Sequence, residues 1–419
     1  GAPANDSAGP DAGVDEGGAA DAGGGGDGGG SGVLRLSYTP VEACRLVDTR
    51  EKGGSFTKDE TRGYAIYGSD LSDQGGKAAG CALPAGIGEP RAVQVNVVAV
   101  GDEGRGNFAV YRHGRTPVAG TVNFDPDKSQ PAIANAVTVE VCPADLSSCT
   151  DQIGARLNYA ASADLVIDVL GYYTEDTAAD GHVDKALVFT PVKPCRVVDT
   201  RTGGGGKLAA DQVREYFVYG DKDAISAQGG DTQGCPSTGG EPSAVHLRLV
   251  TVVQDSGSSG YVAAFPANGD PEAVRSLVNY AHGYQHAGNT ATVKTHHGGG
   301  AAGKDIKVKN TRGKTHVIID VLGYYYPHET AASNPDGDYL YTPVPPCRVA
   351  DTRQTDDPFA ADETQTFRVH GDDLSAQGGP ASGCTSPLGE PRAAHLNFVA
   401  IPVEGQGHLR AFAADLAEA

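Results

Sequence analysis

The sequence predicts an all-β protein: tandem β-sandwich or jelly-roll-like domains with disulfides, preceded by a disordered Gly/Asp-rich tail. Three observations point there. Val, Thr and Tyr recur in short alternating runs, separated by turns drawn from 59 glycines and 25 prolines. One motif returns three times, as "CRLVDTR" at Cys44 to Arg50, "CRVVDTR" at Cys195 to Arg201 and "CRVADTR" at Cys347 to Arg353. The eight cysteines fall into pairs, and the spacing of the pairs repeats with the motif.

The tail comes first. Residues 1–33 hold thirteen glycines, six acids and no Lys or Arg. Such a segment has nothing to bury against the entropy of ordering, so it reads as a flexible acidic tail. The rest of the chain repeats. Cys44 and Cys195 are 151 residues apart, and Cys195 and Cys347 are 152 apart. "YTPVEACRLVDTR" is answered by "FTPVKPCRVVDTR" and "YTPVPPCRVADTR", and "GEPRAVQVNVVAV" by "GEPSAVHLRLVTV" and "GEPRAAHLNFVAI". A period this long marks whole domains; short solenoid units run roughly 20 to 50 residues. The units are residues 34–177, residues 185–328 and a half-length copy at 337–419.

Each full unit reads as seven to nine strands. Val93, Val95 and Val97 alternate with Gln94 and Asn96, so the two sets face opposite sides of a strand. "GNFAVY", "GYVAAF" and "GHLRAF" each follow a turn and open a strand, and "NAVTVEV" (135–141) and "NTATVKT" (289–295) alternate likewise. The most apolar run, "ADLVIDVLGYY" ending at Tyr173 and "THVIIDVLGYY" ending at Tyr325, reads as a central strand. The third copy has no such run. "PADLSS", between Cys142 and Cys149, is an insertion found only in the first unit and reads as a tied loop.

The combination "PCRxxDTR … GEPRAVxxNVVAV … HVIIDVLGYY" resembles a repeated domain of secreted and cell-surface multidomain proteins of actinobacteria and myxobacteria. The resemblance covers residues 34–419. It implies an extracellular setting and carries no assigned activity. The half-length third copy departs from the usual pattern.

Bulk chemistry agrees with that setting. The net charge of -20 argues against a nucleic-acid partner, which would reward clustered Lys and Arg. No apolar run reaches the roughly 18 residues of a membrane-spanning helix. Cys44 pairs with Cys81, Cys195 with Cys235, Cys347 with Cys384, and Cys142 with Cys149, at separations of 37, 40, 37 and 7 residues. No CxxC occurs, so the expectation is four disulfides and an oxidising compartment. The chain begins at Gly1 and contains no methionine, which points to a product released by signal-peptide removal.

The candidate chemistry is sparse. Asp48 with Arg50, Asp199 with Arg201, and Asp351 with Arg353 read as ion pairs that fix a turn after a strand. Arg45, Arg196 and Arg348 are placed to pair with Asp168 or Asp320 on the central strand. The competing reading is an arginine site for an anion, but no nucleophile or acid–base set repeats beside it. The acidic turns at 68–76, 220–230, 371–379 and 334–339 ("NPDGDY") offer oxygens to a structural calcium, although their spacing changes between copies. Solvated Asp-Gly turns are the plainer account. "TGGGGKL" (202–208) lacks the hydroxyl residue and helix of a phosphate loop. His296 and His297, as strand neighbours, face opposite ways. Tyr172, Tyr173, Tyr324, Tyr325 and Tyr326 read as core and rim packing in preference to sugar-stacking platforms. No enzyme motif, cofactor site or metal site is predicted.

The missing half carries the functional expectation. The third copy is an independent subdomain, a truncated one, or one completed by another molecule through strand addition. The third case predicts an extracellular structural protein that self-associates head-to-tail into a surface fibre or layer. The alternative is a cell-surface adhesin that binds glycans.

Overall fold

A computed structural model describes residues 34–117, 120–125, 132–175, 185–237, 240–253, 259–272, 275–281, 286–296, 303–328, 339–401 and 409–414. The tail at 1–33, His297 and all of "NPDGDY" but Tyr339 lie outside the described residues.

The chain is all-β, with every strand pair antiparallel. Repeat one supplies β1 (Leu36–Asp48), β2 (Phe56–Thr57), β3 (Thr61–Tyr64), β4 (Pro90–Glu103), β5 (Gly106–Arg112), β6 (Val122–Phe124), β7 (Ala132–Glu140), β8 (Ile153–Asn158) and β9 (Ser162–Glu175). Repeat two supplies β10 (Leu187–Asp199), β11 (Val213–Tyr216), β12 (Ala244–Val253), β13 (Gly260–Pro266), β14 (Val278–Tyr280), β15 (His286–Lys294), β16 (Ile306–Asn310) and β17 (Thr315–Pro327). Among the described residues of repeat two no strand matches β2, and Leu208 instead bridges Thr315.

Each full repeat is a sandwich of two sheets. In repeat one the order β1-β9-β4-β7 faces β3-β8-β5-β6, and in repeat two β10-β17-β12-β15 faces β11-β16-β13-β14. Alternation decides what fills the space between them. Val93, Val95 and Val97 of β4 meet Ile167 and Val169 of β9, with Phe108, Ile153 and Leu157 from the opposite sheet. Leu247, Leu249, Ile319, Val321, Val262 and Val308 do the same in repeat two. The expected central strands are central: β9 lies between β1 and β4, and β17 between β10 and β12.

The two large sheets join into one, because Tyr38 of β1 pairs with Leu187 of β10. The same junction recurs twice more. Phe189, the counterpart of Tyr38, exchanges backbone hydrogen bonds with Tyr339, and Tyr341 exchanges them with Leu36. Each repeat's opening strand thus pairs with that of the next, and the third returns to the first. The cycle closes after three steps.

Aromatic rings line this closure. The Tyr38 ring lies 4.8 Å from Tyr325, and the Tyr341 ring 4.7 Å from Tyr173. In both, a central-strand tyrosine meets the opening strand of the preceding repeat. His246 stacks on His395 at 6.0 Å. Tyr173 and Tyr325 share a hydroxyl hydrogen bond of 3.1 Å. The expected division of tyrosines into core and rim therefore changes: Tyr172 and Tyr324 are in the sandwich cores, but Tyr173 and Tyr325 are just as buried, because their rim is the interior of the cycle.

The outer side of β4 is also covered. Gln94 and Asn96 are 3% and 1% exposed. The Asn96 amide donates to the Ser276 carbonyl at 2.7 Å, and Asn289 donates to Asn96 Oδ1 at 2.9 Å. The third repeat meets the first in the same way: Asn397, the counterpart of Asn96, donates to the Gly120 carbonyl at 3.0 Å, and Asn135 donates to Asn397 Oδ1 at 3.1 Å.

Gly171 and Gly323 are required by this packing. A Cβ at Gly171 would fall on the Tyr38 ring, and one at Gly323 on the Phe189 ring. Gly171→Val is expected to cost about 3 kcal/mol in denaturant unfolding, because the Tyr38 ring is locked by its neighbours. Gly88→Ala, where a Cβ meets open space, should shift stability by less than about 0.5 kcal/mol.

Candidate functional site: an unfilled strand position in the third repeat

The four cysteine pairs are bonded: Cys44–Cys81, Cys142–Cys149, Cys195–Cys235 and Cys347–Cys384. Beside three of them the same staple is built. Arg50, Arg201 and Arg353 each donate through Nε and Nη2 to the carboxylates of Asp48, Asp199 and Asp351, at 2.6–2.9 Å. A glutamine completes it. Gln74 accepts from Ala65 N and donates to the carbonyls of Leu46 and Ala65. Gln228 makes the equivalent bonds to Phe217 and Val197, and Gln377 to Arg368 and Val349. The signal for these glutamines in the sequence is the "QGG" that stands in all three copies. The glycine after each has φ of 73°, 77° and 76°, and a Cβ there would strike the carbonyl of the staple aspartate.

The arginines of the opening strands do find the central strands. Arg45 Nε lies 2.6 Å from Asp168, and Arg196 Nε lies 2.8 Å from Asp320. Asp168 is fully buried, and Arg275 of repeat two stands 3.8 Å away. Burial pushes this carboxyl upward in pKa, against the pull of the two guanidiniums.

The other candidates have structural employment. Asp70 accepts from Ser72 N, Asp221 caps the short helix Lys222–Ala227 through Ala224 N, and Asp373 accepts from Ser375 N and Oγ. Among the described residues no three His, Cys, Asp or Glu side chains gather as cation ligands would. The "TGGGGKL" loop turns carbonyls inward: Gly204, Gly206 and Lys207 accept from the Arg214 guanidinium, the arrangement of a cation cradle. The Cys142–Cys149 loop is tied down by Arg91–Asp145 at 3.0 Å and by Ala144 N donating to Glu89.

The third repeat keeps the staple and loses the sheet. The residues matching β1 and β4 form no regular strand at 342–351 and 391–401. The reason is topological. In repeats one and two these two strands never touch as partners; β9 or β17 lies between them and bonds to both. Among the described residues no central strand lies between the flanks of the third repeat, and beyond the Tyr341–Leu36 junction neither flank has a ladder partner.

The side chains register the gap. Leu396 and Phe398 are 43% and 58% exposed, whereas their counterparts Val95, Val97, Leu247 and Leu249 are all at 0%. Val369 is 37% exposed against 0% for Ile66 and Val218, and Leu409 41% against 0% for Phe108 and Val262. Arg348 keeps its local bond to Asp351 at 3.2 Å, and among the described residues no central-strand carboxylate faces it. Leu374, by contrast, is buried inside its stapled turn. This half-built sheet, with two flanks, an exposed apolar face and an arginine, is the candidate site.

No protein-family model, curated protein or solved structure matches the chain.

Two measurements test the ion pairs. Arg45→Ala should cost about 3 kcal/mol in chemical unfolding, because it strips the nearest partner from a fully buried carboxylate. Arg196→Ala should cost about 1 kcal/mol or less, since Arg196 is 44% and Asp320 22% exposed at the side chain. The Arg353 bond holds the Asp351 carboxyl at about 2, below its ordinary 3.8. A depressed carboxyl stabilises the fold above its unfolded value and loses that effect as pH falls through the folded one. The Asp351 staple should therefore persist at pH 4 and release as pH approaches 2, with an NMR titration midpoint that rises in Arg353→Gln.

Proposed function

We propose that the protein is a non-catalytic structural component of an extracellular or cell-surface assembly, a fibre or a layer, joined to its surroundings through the third repeat. One observation carries this reading: among the described residues the third repeat holds the two flanks of a sheet with no strand seated between them. An open pair of flanks is an acceptor, since an added strand satisfies backbone donors and acceptors on both sides and covers apolar surface at once.

Other features support the setting. Four disulfides fit a secreted, non-cytosolic protein. No helix among the described residues is long and apolar enough to cross a membrane. The glycan-binding alternative draws less support, because Tyr173 and Tyr325 are each 2% exposed and offer no ring face to a sugar.

Hydrogen exchange tests the proposal. In the purified chain, amides at 342–350 and 391–401 should exchange far faster than those of β9 and β17. In material recovered from the producing cell's surface, the same amides should be protected, and microscopy should show a fibre or layer. A purified chain that stays monomeric at high concentration with a fully protected third repeat would overturn it.

A further inference from the structure

We infer that the third repeat accepts one particular kind of strand: an extended peptide of the β9/β17 type, carrying Asp-x-x-Gly-Tyr-Tyr, supplied from outside residues 1–419. This rests on the acceptor reading above and specifies the occupant.

Four positions define the register. Asp168 lies opposite Arg45 on one flank and Asn96 on the other, and Asp320 lies opposite Arg196 and Arg248. In the third repeat those flanking places belong to Arg348 and Asn397, so the incoming carboxylate belongs between them. Three residues later stands Gly171 or Gly323, beneath the ring of Tyr38 or Phe189. Tyr341 holds that place in the third repeat, so only glycine fits under it. The next residue, Tyr172 or Tyr324, donates its hydroxyl to the carbonyl of Ile66 at 2.9 Å or Val218 at 3.0 Å. The corresponding carbonyl is that of Val369. The last tyrosine crosses to the preceding repeat, as Tyr173 reaches Tyr341 and Tyr325 reaches Tyr38. From the third repeat it reaches Phe189.

The donor is not another copy of these 419 residues. Each copy has three places for such a strand and two strands that fit, both seated. Donation between copies moves the vacancy without filling it. The tail has no substitute: residues 1–33 contain two valines and no other branched apolar or aromatic residue.

The probe is a synthetic peptide with the sequence of Thr315 to Pro327, added to the purified chain. Saturable one-to-one binding is expected, with new exchange protection at 342–350 and 391–401. The Gly323→Val peptide should bind at least about 100-fold more weakly, because its side chain meets the Tyr341 ring. The Asp320→Lys peptide should lose at least about tenfold, and the Arg348→Glu chain should recover it by restoring opposite charges across the strand pair. The inference falls if the native peptide leaves both segments unprotected, or if both peptide variants bind as tightly as the native sequence. It falls equally if the chain alone self-associates and protects those segments. Failure of the assembly reading looks different: the peptide seats as described, yet surface material shows an unprotected third repeat.

Discussion

A strand in the middle of a sheet satisfies the backbone of two neighbours, and in this protein nearly everything else is arranged around that fact. β9 and β17 bond on both edges, fill their sandwich cores with one face, and send a tyrosine into the shared centre with the other. Their aspartates anchor the opening strands through Arg45 and Arg196. Removing an edge strand from such a sheet would leave a smaller sheet. Removing the central one leaves two flanks with no ladder between them, the arrangement of the described residues of the third repeat.

The staples tolerate that loss because they are local. Cys347–Cys384, Gln377 and the Asp351–Arg353 pair reproduce the turn geometry of the complete repeats within about forty residues of chain, with no sheet behind them. Two levels of organisation are therefore separable here. Short-range covalent and polar bonds shape the turns, and the long-range partner decides whether the flanks become strands.

How far the sequence discloses this follows the same division. Short-range features are readable: the Val93, Val95 and Val97 alternation marks a strand and its core face, and the repeated intervals mark the cysteine pairs. The long apolar run ending at Tyr173 announces its central position. The covering of Gln94 and Asn96 is not readable, since their polarity suits solvent and only the arrival of Ser276 and Asn289 from another repeat buries them. The cycle of opening strands escapes for a similar reason: Leu36 and Tyr341 are ordinary apolar residues whose pairing joins positions 305 apart. The open flanks were foreseeable as an absence, but that both flanks stay unpaired depends on strand order.

The closed cycle of Tyr38, Phe189 and Tyr341 also sets a limit on growth. Pairing at the axis is used up when the third repeat returns to the first, so a fourth copy of the domain has no seat there. Longer arrays of such repeats would have to proceed in threes, each triplet a finished rotor strung to the next by linker. Repeat number then becomes a quantised property of the fold.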